Sequence, residues 1–230
     1  MSSVRGVVFD LDGTIVDNMS LHADAFLEFT RRHGLPPLDE AMRARIDGKR
    51  NRDIFPILFG RDLPAADLRR FSHEKESLYR KLSQGRLRPL RGLPRLLALL
   101  ERRGIPCAIA TSAPAENVPH TLGEIGLVSH FPRVVRSDSV PRGKPHPDVF
   151  LAAADLLGVP PVECLAFEDA PIGVVAARAA GMSCVAVATT FPAEAFAEHG
   201  AAPDAVVSDF DAYLAGPGRW LLEEAGAWET

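Results

Sequence analysis

Short β-type runs alternating with helical patterns predict an α/β fold, a Rossmann-like doubly wound parallel sheet. Three observations carry that expectation. From residue 92 onward, continuous apolar strand-like runs, as buried parallel sheets require, are separated by stretches of helical period. Residues 18–88 hold no strand-like run, which predicts a small helical domain inserted after the first strand. That first strand ends abruptly on Asp10-Leu11-Asp12-Gly13-Thr14. Open α/β sheets bind ligands at the carboxyl ends of their strands.

Taken in order, the strand candidates are Gly6–Phe9, Pro106–Ala110, Arg133–Val135, Cys164–Phe167, Cys184–Ala188 and Ala205–Val207. Leu93, Leu96, Leu97 and Leu100 fit a helical period, as do Phe150, Leu151, Ala154 and Leu157. Within the insert, four helices are expected near 19–33, 39–46, 51–59 and 65–83, punctuated by Gly34-Leu35-Pro36-Pro37 and by the Gly60–Pro64 turn. The core is therefore expected in residues 1–17 and 89–230 and the helical domain in 18–88. A domain leaving the sheet at this point is expected as a lid over the strand ends, with rigid packing onto a single core as the alternative. Residues 216–230 read as an appended apolar helix that docks on the core, meets another subunit or stays disordered.

Composition narrows the function classes. The chain has 230 residues, 47% hydrophobic and 24% charged, ordinary for a soluble globular protein. A formal net charge of −4 gives no electrostatic case for nucleic acid or an anionic membrane. No stretch approaches the roughly 20 apolar residues that span a bilayer. The odd set Cys107, Cys164 and Cys184, without a C-x-x-C, predicts buried free thiols in a cytoplasmic protein.

Four strand ends carry the chemistry. Gly13 permits a tight turn that exposes Asp10 and Asp12, where one carboxylate serves as nucleophile and its neighbour handles a proton; solvated acids on a turn are the alternative. Thr111 and Ser112 close the second strand, either to hold a phosphate oxygen or to cap a helix. Lys144, between Gly143 and Pro145, is either a surface charge or a cation that neutralises a transferring phosphoryl group. Glu168 and Asp169 end another apolar strand, with Asp169 a hard oxygen ligand or a helix cap. The set Asp10, Asp12 and Asp169 suits Mg²⁺, and nothing suits zinc. In the helical domain, His22 and the polar turn Gly48-Lys49-Arg50-Asn51-Arg52-Asp53 are candidates to meet a substrate, against a solvated loop and a surface histidine.

Together these segments resemble the haloacid dehalogenase superfamily, closest to its β-phosphoglucomutase-like and phosphoglycolate-phosphatase-like group, over nearly the whole chain. The resemblance implies that Asp10 attacks phosphorus and that Asp12 protonates the leaving alcohol and then activates water. It implies Mg²⁺ at the Asp10 carboxylate, the Asp12 carbonyl and Asp169, with Glu168 alongside, and phosphoryl oxygens at Thr111, Ser112 and Lys144. It assigns substrate contact to His22, Gly48, Asn51 and Arg52. The second acid, Asp12, argues against dehalogenation and for C–O–P chemistry. Mutases of the group carry an arginine three residues after the turn glycine, where this chain has Asn51; Arg52 is one residue on, a turn of about 100° on a helix. His22 matches a mutase histidine and keeps that alternative open. The expectation is a phosphatase for a small phosphorylated metabolite, a sugar phosphate, with a sugar phosphate mutase second. A binding module on a retired scaffold is disfavoured by the complete acid set. The chain is expected as a monomer or a weak homodimer.

Overall fold

The computed structural model describes residues 4–222. Six parallel strands form one sheet: β1 (Gly6–Phe9), β2 (Cys107–Thr111), β3 (Val134–Arg136), β4 (Cys164–Glu168), β5 (Ser183–Val187) and β6 (Ala205–Val207). Their order is β3-β2-β1-β4-β5-β6, so the winding reverses between β1 and β4. That reversal opens a crevice at the carboxyl ends of the two central strands.

Strand side chains alternate between two apolar layers, as a pleated sheet demands. Val7, Phe9, Ile109, Leu165, Phe167, Val185 and Val187 enter one layer, built with α5 (Leu93–Arg102) and α10 (Phe210–Ala215). Phe9 stacks on Phe167 with centroids 5.2 Å apart. The other layer receives Val8, Ala108, Ala110, Ala166, Cys184 and Ala186. These are mostly small, so α7 (Asp148–Leu157) and α8 (Pro171–Ala179) approach closely through Ala153, Ala154, Ala176 and Ala177. The core face of α7 is rotated from the sequence expectation: Val149 and Ala153 join Phe150 and Ala154 inside, while Leu151 is 38% exposed. The alanines admit Val149 beside the sheet, which the apolar pattern alone did not resolve.

Between β1 and β2 lie α1 (Met19–Arg32), α2 (Glu40–Ile46), α3 (Asn51–Phe59) and α4 (Ala65–Ser83) before α5. Phe26, Phe29, Ile54, Phe55, Leu58 and Phe71 form an apolar cluster of their own in this insert. Phe29 is fully buried, with the rings of Phe55 and Phe71 at 5.2 and 5.7 Å. α6 (Asn117–Glu124) and α9 (Ala193–Glu198) complete the helices of the described residues. A single 3-10 turn at Arg219–Leu221 packs on the core where an apolar helix was expected; Leu221 is buried, and Arg103 donates to the Trp220 and Leu221 carbonyls. Residues 223–230 of that segment lie outside the described residues. Cys164 and Cys184 are buried free thiols and Cys107 is half-buried. No helix among the described residues is long and apolar enough to cross a membrane.

Candidate active site

At the sheet crevice, Asp10 follows β1, Thr111 ends β2, Glu168 ends β4 and Asp169 follows it. Lys144 reaches them from the loop before α7, its Nζ 2.6 Å from Asp10 Oδ1 and 2.5 Å from Glu168 Oε1. Glu168 Oε2 accepts the backbone N–H groups of Asp169 and Ala170, each at 3.0 Å, so both of its oxygens are engaged. Asp169 accepts from Thr14 Oγ1 at 3.3 Å and from the Thr190 hydroxyl. Oxygens of Asp10, Glu168 and Asp169 all lie within 4.8 Å of one another.

The backbone had to be shaped for this. Gly13 has φ 81°, and a Cβ there would fall 2.0 Å from Asp169 Oδ2. Gly173, in the first turn of α8, leaves room for Glu168: a Cβ would fall 1.8 Å from its Oε1. Neither Thr111 nor Ser112 caps a helix, because α6 begins only at Asn117. Thr111 Oγ1 accepts from Ala113 N at 3.0 Å, and Ser112 Oγ donates to the Gly48 carbonyl at 2.9 Å. Asp169 caps nothing either; Ala170 precedes α8 without a side-chain bond.

The electrostatics are short of positive charge. Burial pushes the Asp10 carboxyl up to about 8, against the pull of Lys144. Burial and the charges of Glu168 and Asp10 raise Asp169 well above the carboxylate range. Burial alone would lower Lys144, yet the charges of Asp10 and Glu168 outweigh it and hold the ammonium above its ordinary value. Hard, clustered, undercompensated oxygens of this kind fit a Mg²⁺-type cation.

Asp12 sits beside this cluster and is held from the other side. Asn18, fully buried, donates to Asp12 Oδ1 at 2.7 Å and to the Tyr79 hydroxyl at 2.6 Å, and accepts from Gly13 N at 3.0 Å. His22 Nε2 lies 3.6 Å from Asp12 Oδ2 and has no hydrogen-bond partner. Its Nδ1 is 2.8 Å from Lys75 Nζ. A lysine ammonium only donates, so Nδ1 accepts and a neutral ring carries its proton on Nε2, facing Asp12. Burial alone would raise Asp12; His22, the Asn18 amide and the Lys75 charge outweigh it and hold the carboxyl below its ordinary range.

Asp10, Asp12, His22, Lys75, Lys144, Glu168 and Asp169 line one chamber of about 80 Å³, roofed by the insert through Phe26, Ile46 and Ile54. Of the sequence candidates, Asp10, Asp12, His22, Gly48, Asn51, Thr111, Ser112, Lys144, Glu168 and Asp169 reach it. Arg52 does not: its guanidinium donates to the Pro141 carbonyl at 3.3 Å and lines a neighbouring cavity of about 490 Å³ that shares Asn51, Glu76 and Ser112 with the chamber. On the helix, one position from Asn51 rotates the side chain away from the chamber. Sequence reading missed Asn18, Lys75, Glu76, Tyr79 and Thr190.

The insert meets the core along two edges. On α4, Glu76 Oε2 and Arg80 Nη1 bond the Asn117 side chain, at 2.7 and 2.8 Å, while Tyr79 Oη lies 3.4 Å from Thr121 Oγ1 and Ser83 Oγ lies 2.8 Å from His120 Nε2. At the turn before α3 and on its first turn, the bonds are Ser112 to the Gly48 carbonyl, Arg50 Nη1 to the Ser137 carbonyl at 3.2 Å, and Arg52 to the Pro141 carbonyl.

A sequence profile of the haloacid dehalogenase-like hydrolases matches residues 4–181. The chain belongs to that family. It is 36% identical over 195 residues to hexitol phosphatase A of Escherichia coli, covering 83% of this chain and 85% of that protein. It is 34% identical over 192 residues to the β-phosphoglucomutase of Bacillus subtilis, covering 80% and 83%. The match to the chloroplastic 5-amino-6-(5-phospho-D-ribitylamino)uracil phosphatase of Arabidopsis thaliana, 30% over 188 residues, covers 81% of this chain and half of that protein. Among solved structures, a family IA, variant 3 hydrolase from Entamoeba histolytica superposes with a TM-score of 0.81 at 27% identity, over 90% of this chain and 94% of that one.

Proposed function

We propose that the chain is a Mg²⁺-dependent phosphatase that hydrolyses a small phosphorylated metabolite, a sugar phosphate, through an aspartyl-phosphate on Asp10. The observation that carries this reading is the Lys144 ammonium shared by Asp10 and Glu168, with a second acid, Asp12, on an independent set of hydrogen bonds. Two carboxylates in different environments can take different roles.

Asp10 attacks phosphorus as the bond to the leaving oxygen breaks, and Asp12 gives that oxygen a proton. Resting Asp12 is held ionised. The charge of a bound phosphoryl group favours its protonated form. In the second half, Asp12 takes a proton from the water that cleaves the aspartyl-phosphate. Lys144, Thr111 and Ser112 hold phosphoryl oxygens, and phosphoryl transfer needs chiefly such positioning and charge neutralisation. Asp10, Asp169 and the Asp12 carbonyl would hold Mg²⁺, with Glu168 alongside; bound there, it offsets charge between the anionic nucleophile and the phosphate. Residues 18–88 act as the cap domain over the core of 1–17 and 89–230, and His22, Gly48 and Asn51 face the leaving group. The hexitol phosphatase name of the Escherichia coli relative supports a hydroxylated substrate. A cytoplasmic monomer or weak homodimer completes the reading.

A mutase is the second reading, favoured by the Bacillus relative and by His22 in the chamber. Asn51 is spent on Ser72 and Glu76, and Arg50 and Arg52 are engaged with core carbonyls, which supports hydrolysis instead. Phosphate release from a panel of sugar phosphates, phosphoglycolate and nucleotides, with Mg²⁺ and with chelator, tests the proposal. Chelator-sensitive release that vanishes in Asp10→Asn is expected. Release unchanged in that variant removes the nucleophile, and no release alongside β-glucose 1-phosphate to glucose 6-phosphate conversion establishes the mutase.

A further inference from the structure

Two charged side chains of the insert are buried and take no part in the reaction above. Lys75 is 2% and Glu76 4% exposed, and they pair at 3.0 Å. A buried pair is tolerable when most of its remaining lone pairs and protons are satisfied. Here they are, save one lone pair on Glu76 Oε2. Glu76 accepts Asn51 Nδ2 and Asn117 Nδ2, each at 2.7 Å. Lys75 donates to His22 and sits 4.2 Å from the centroid of the Phe26 ring. Burial alone would raise Glu76, but the Lys75 charge and the two amides hold its carboxyl below its ordinary range. An ionised carboxylate therefore forms a fixed part of the chamber wall.

The cations on this side are already matched. Lys75 belongs to Glu76, and Arg43 pairs with Asp47 at 3.4 Å. Among the described residues, Lys49 is the one chamber-lining cation with no ion pair, while Arg69 and Arg80 line the neighbouring cavity. Within the chamber, a leaving group bearing a second dianion would face Glu76 with Lys49 as the unpaired cation there, and like charges brought together at a binding site act strongly against a wrong ligand. Hydroxyl groups suit the same wall. Glu76 Oε2, which accepts from Asn117 alone, keeps a lone pair for an O–H donor. Asn51, whose amide N–H groups go to Ser72 and Glu76, keeps its carbonyl oxygen free to accept.

We infer that Glu76, fixed by Lys75, Asn51 and Asn117, is a specificity-determining residue that admits hydroxylated leaving groups and turns away those carrying a second phosphate or a carboxylate. This rests on the phosphatase reading and narrows it to monophosphates of uncharged polyols. It also weighs against a mutase, which must hold a bisphosphate.

The test uses matched probes, glucose 6-phosphate against glucose 1,6-bisphosphate and fructose 6-phosphate against fructose 1,6-bisphosphate. Dissociation constants are measured calorimetrically in Mg²⁺ on Asp10→Asn, alone and combined with Glu76→Gln, alongside phosphate release by the wild type. The monophosphates should bind about tenfold tighter or better. Glu76→Gln should close that gap by tightening the bisphosphates. Asn51→Arg, which adds a cation to the same wall and leaves Glu76 in place, should shift the ratio the same way and serves if Glu76→Gln does not fold. Bisphosphates bound as tightly as monophosphates before any change at Glu76, or both classes weakened alike by Glu76→Gln, would overturn the role of Glu76 and leave the phosphatase intact. No phosphate release from any compound would overturn the phosphatase reading and this inference with it.

Discussion

One lysine for three buried carboxylates leaves the end of β1 short of positive charge. With no cation bound, burial pushes the Asp10 carboxyl up to about 8, so it holds a proton far more tightly than an ordinary carboxylate and a metal competes with that proton. Mg²⁺ binding at about pH 7 should therefore release protons, and apparent affinity should rise between about pH 6 and about pH 8. Calorimetry in buffers of differing ionisation enthalpy reads the proton count directly; a count of zero would mean that Asp10 is already ionised. Residues of this kind are legible in sequence because each interrupts an apolar run: Asp10, Thr111 and Glu168-Asp169 stand where a strand stops. Lys75 and Glu76 are not. They lie in Ser72-His73-Glu74-Lys75-Glu76-Ser77, which reads as a solvated helix face. The available signal was spacing: Phe71, Lys75 and Tyr79 recur every four residues and share one buried stripe of α4.

The local geometry of α8 shows how an element disciplines a side chain. Gly173 lies on its first turn against Glu168, and the space a methyl group would need is filled by that carboxylate. Gly173→Ala should push Glu168, and with it Lys144, off position. We expect kcat/KM to fall about 100-fold or more, since misplacement of about 1 Å costs that much, while far-UV circular dichroism stays unchanged. Wild-type turnover would show that Glu168 can move without consequence. The strands were legible to within a residue or so because buried parallel strands are continuous apolar runs. The face of α7 was not: its run Val149-Phe150-Leu151-Ala152-Ala153-Ala154 is apolar all round, and only the close-packed alanines of the sheet decide which side turns inward. Arg52 was offered as a substrate contact on residue type, yet the one-residue helical rotation noted in the sequence carries it to the neighbouring cavity.

At the scale of the whole molecule, two layers flank the sheet and a third apolar cluster stands apart in the insert. Phe29 is the centre of that cluster, so Phe29→Ala should cost about 3–5 kcal/mol. Urea denaturation followed by circular dichroism should show a lower midpoint; an unchanged midpoint would mean that the insert contributes nothing to global stability. The strand-free stretch made the insert legible in sequence, but its mode of attachment was not, because the contacts that join it to α6 are single polar side chains on otherwise ordinary helical turns. Those contacts have a mechanical meaning. Four α4 side chains grip α6, whereas the turn before α3 is clipped by bonds to three isolated carbonyl groups. If the insert works as the proposed cap, it would be a door with its jamb on α4 and its free edge at Gly48. Were it to open, Glu76 would stay with the jamb while Gly48 moved, and in the proposed reaction the alcohol would leave along the free edge before the phosphoryl group left Asp10.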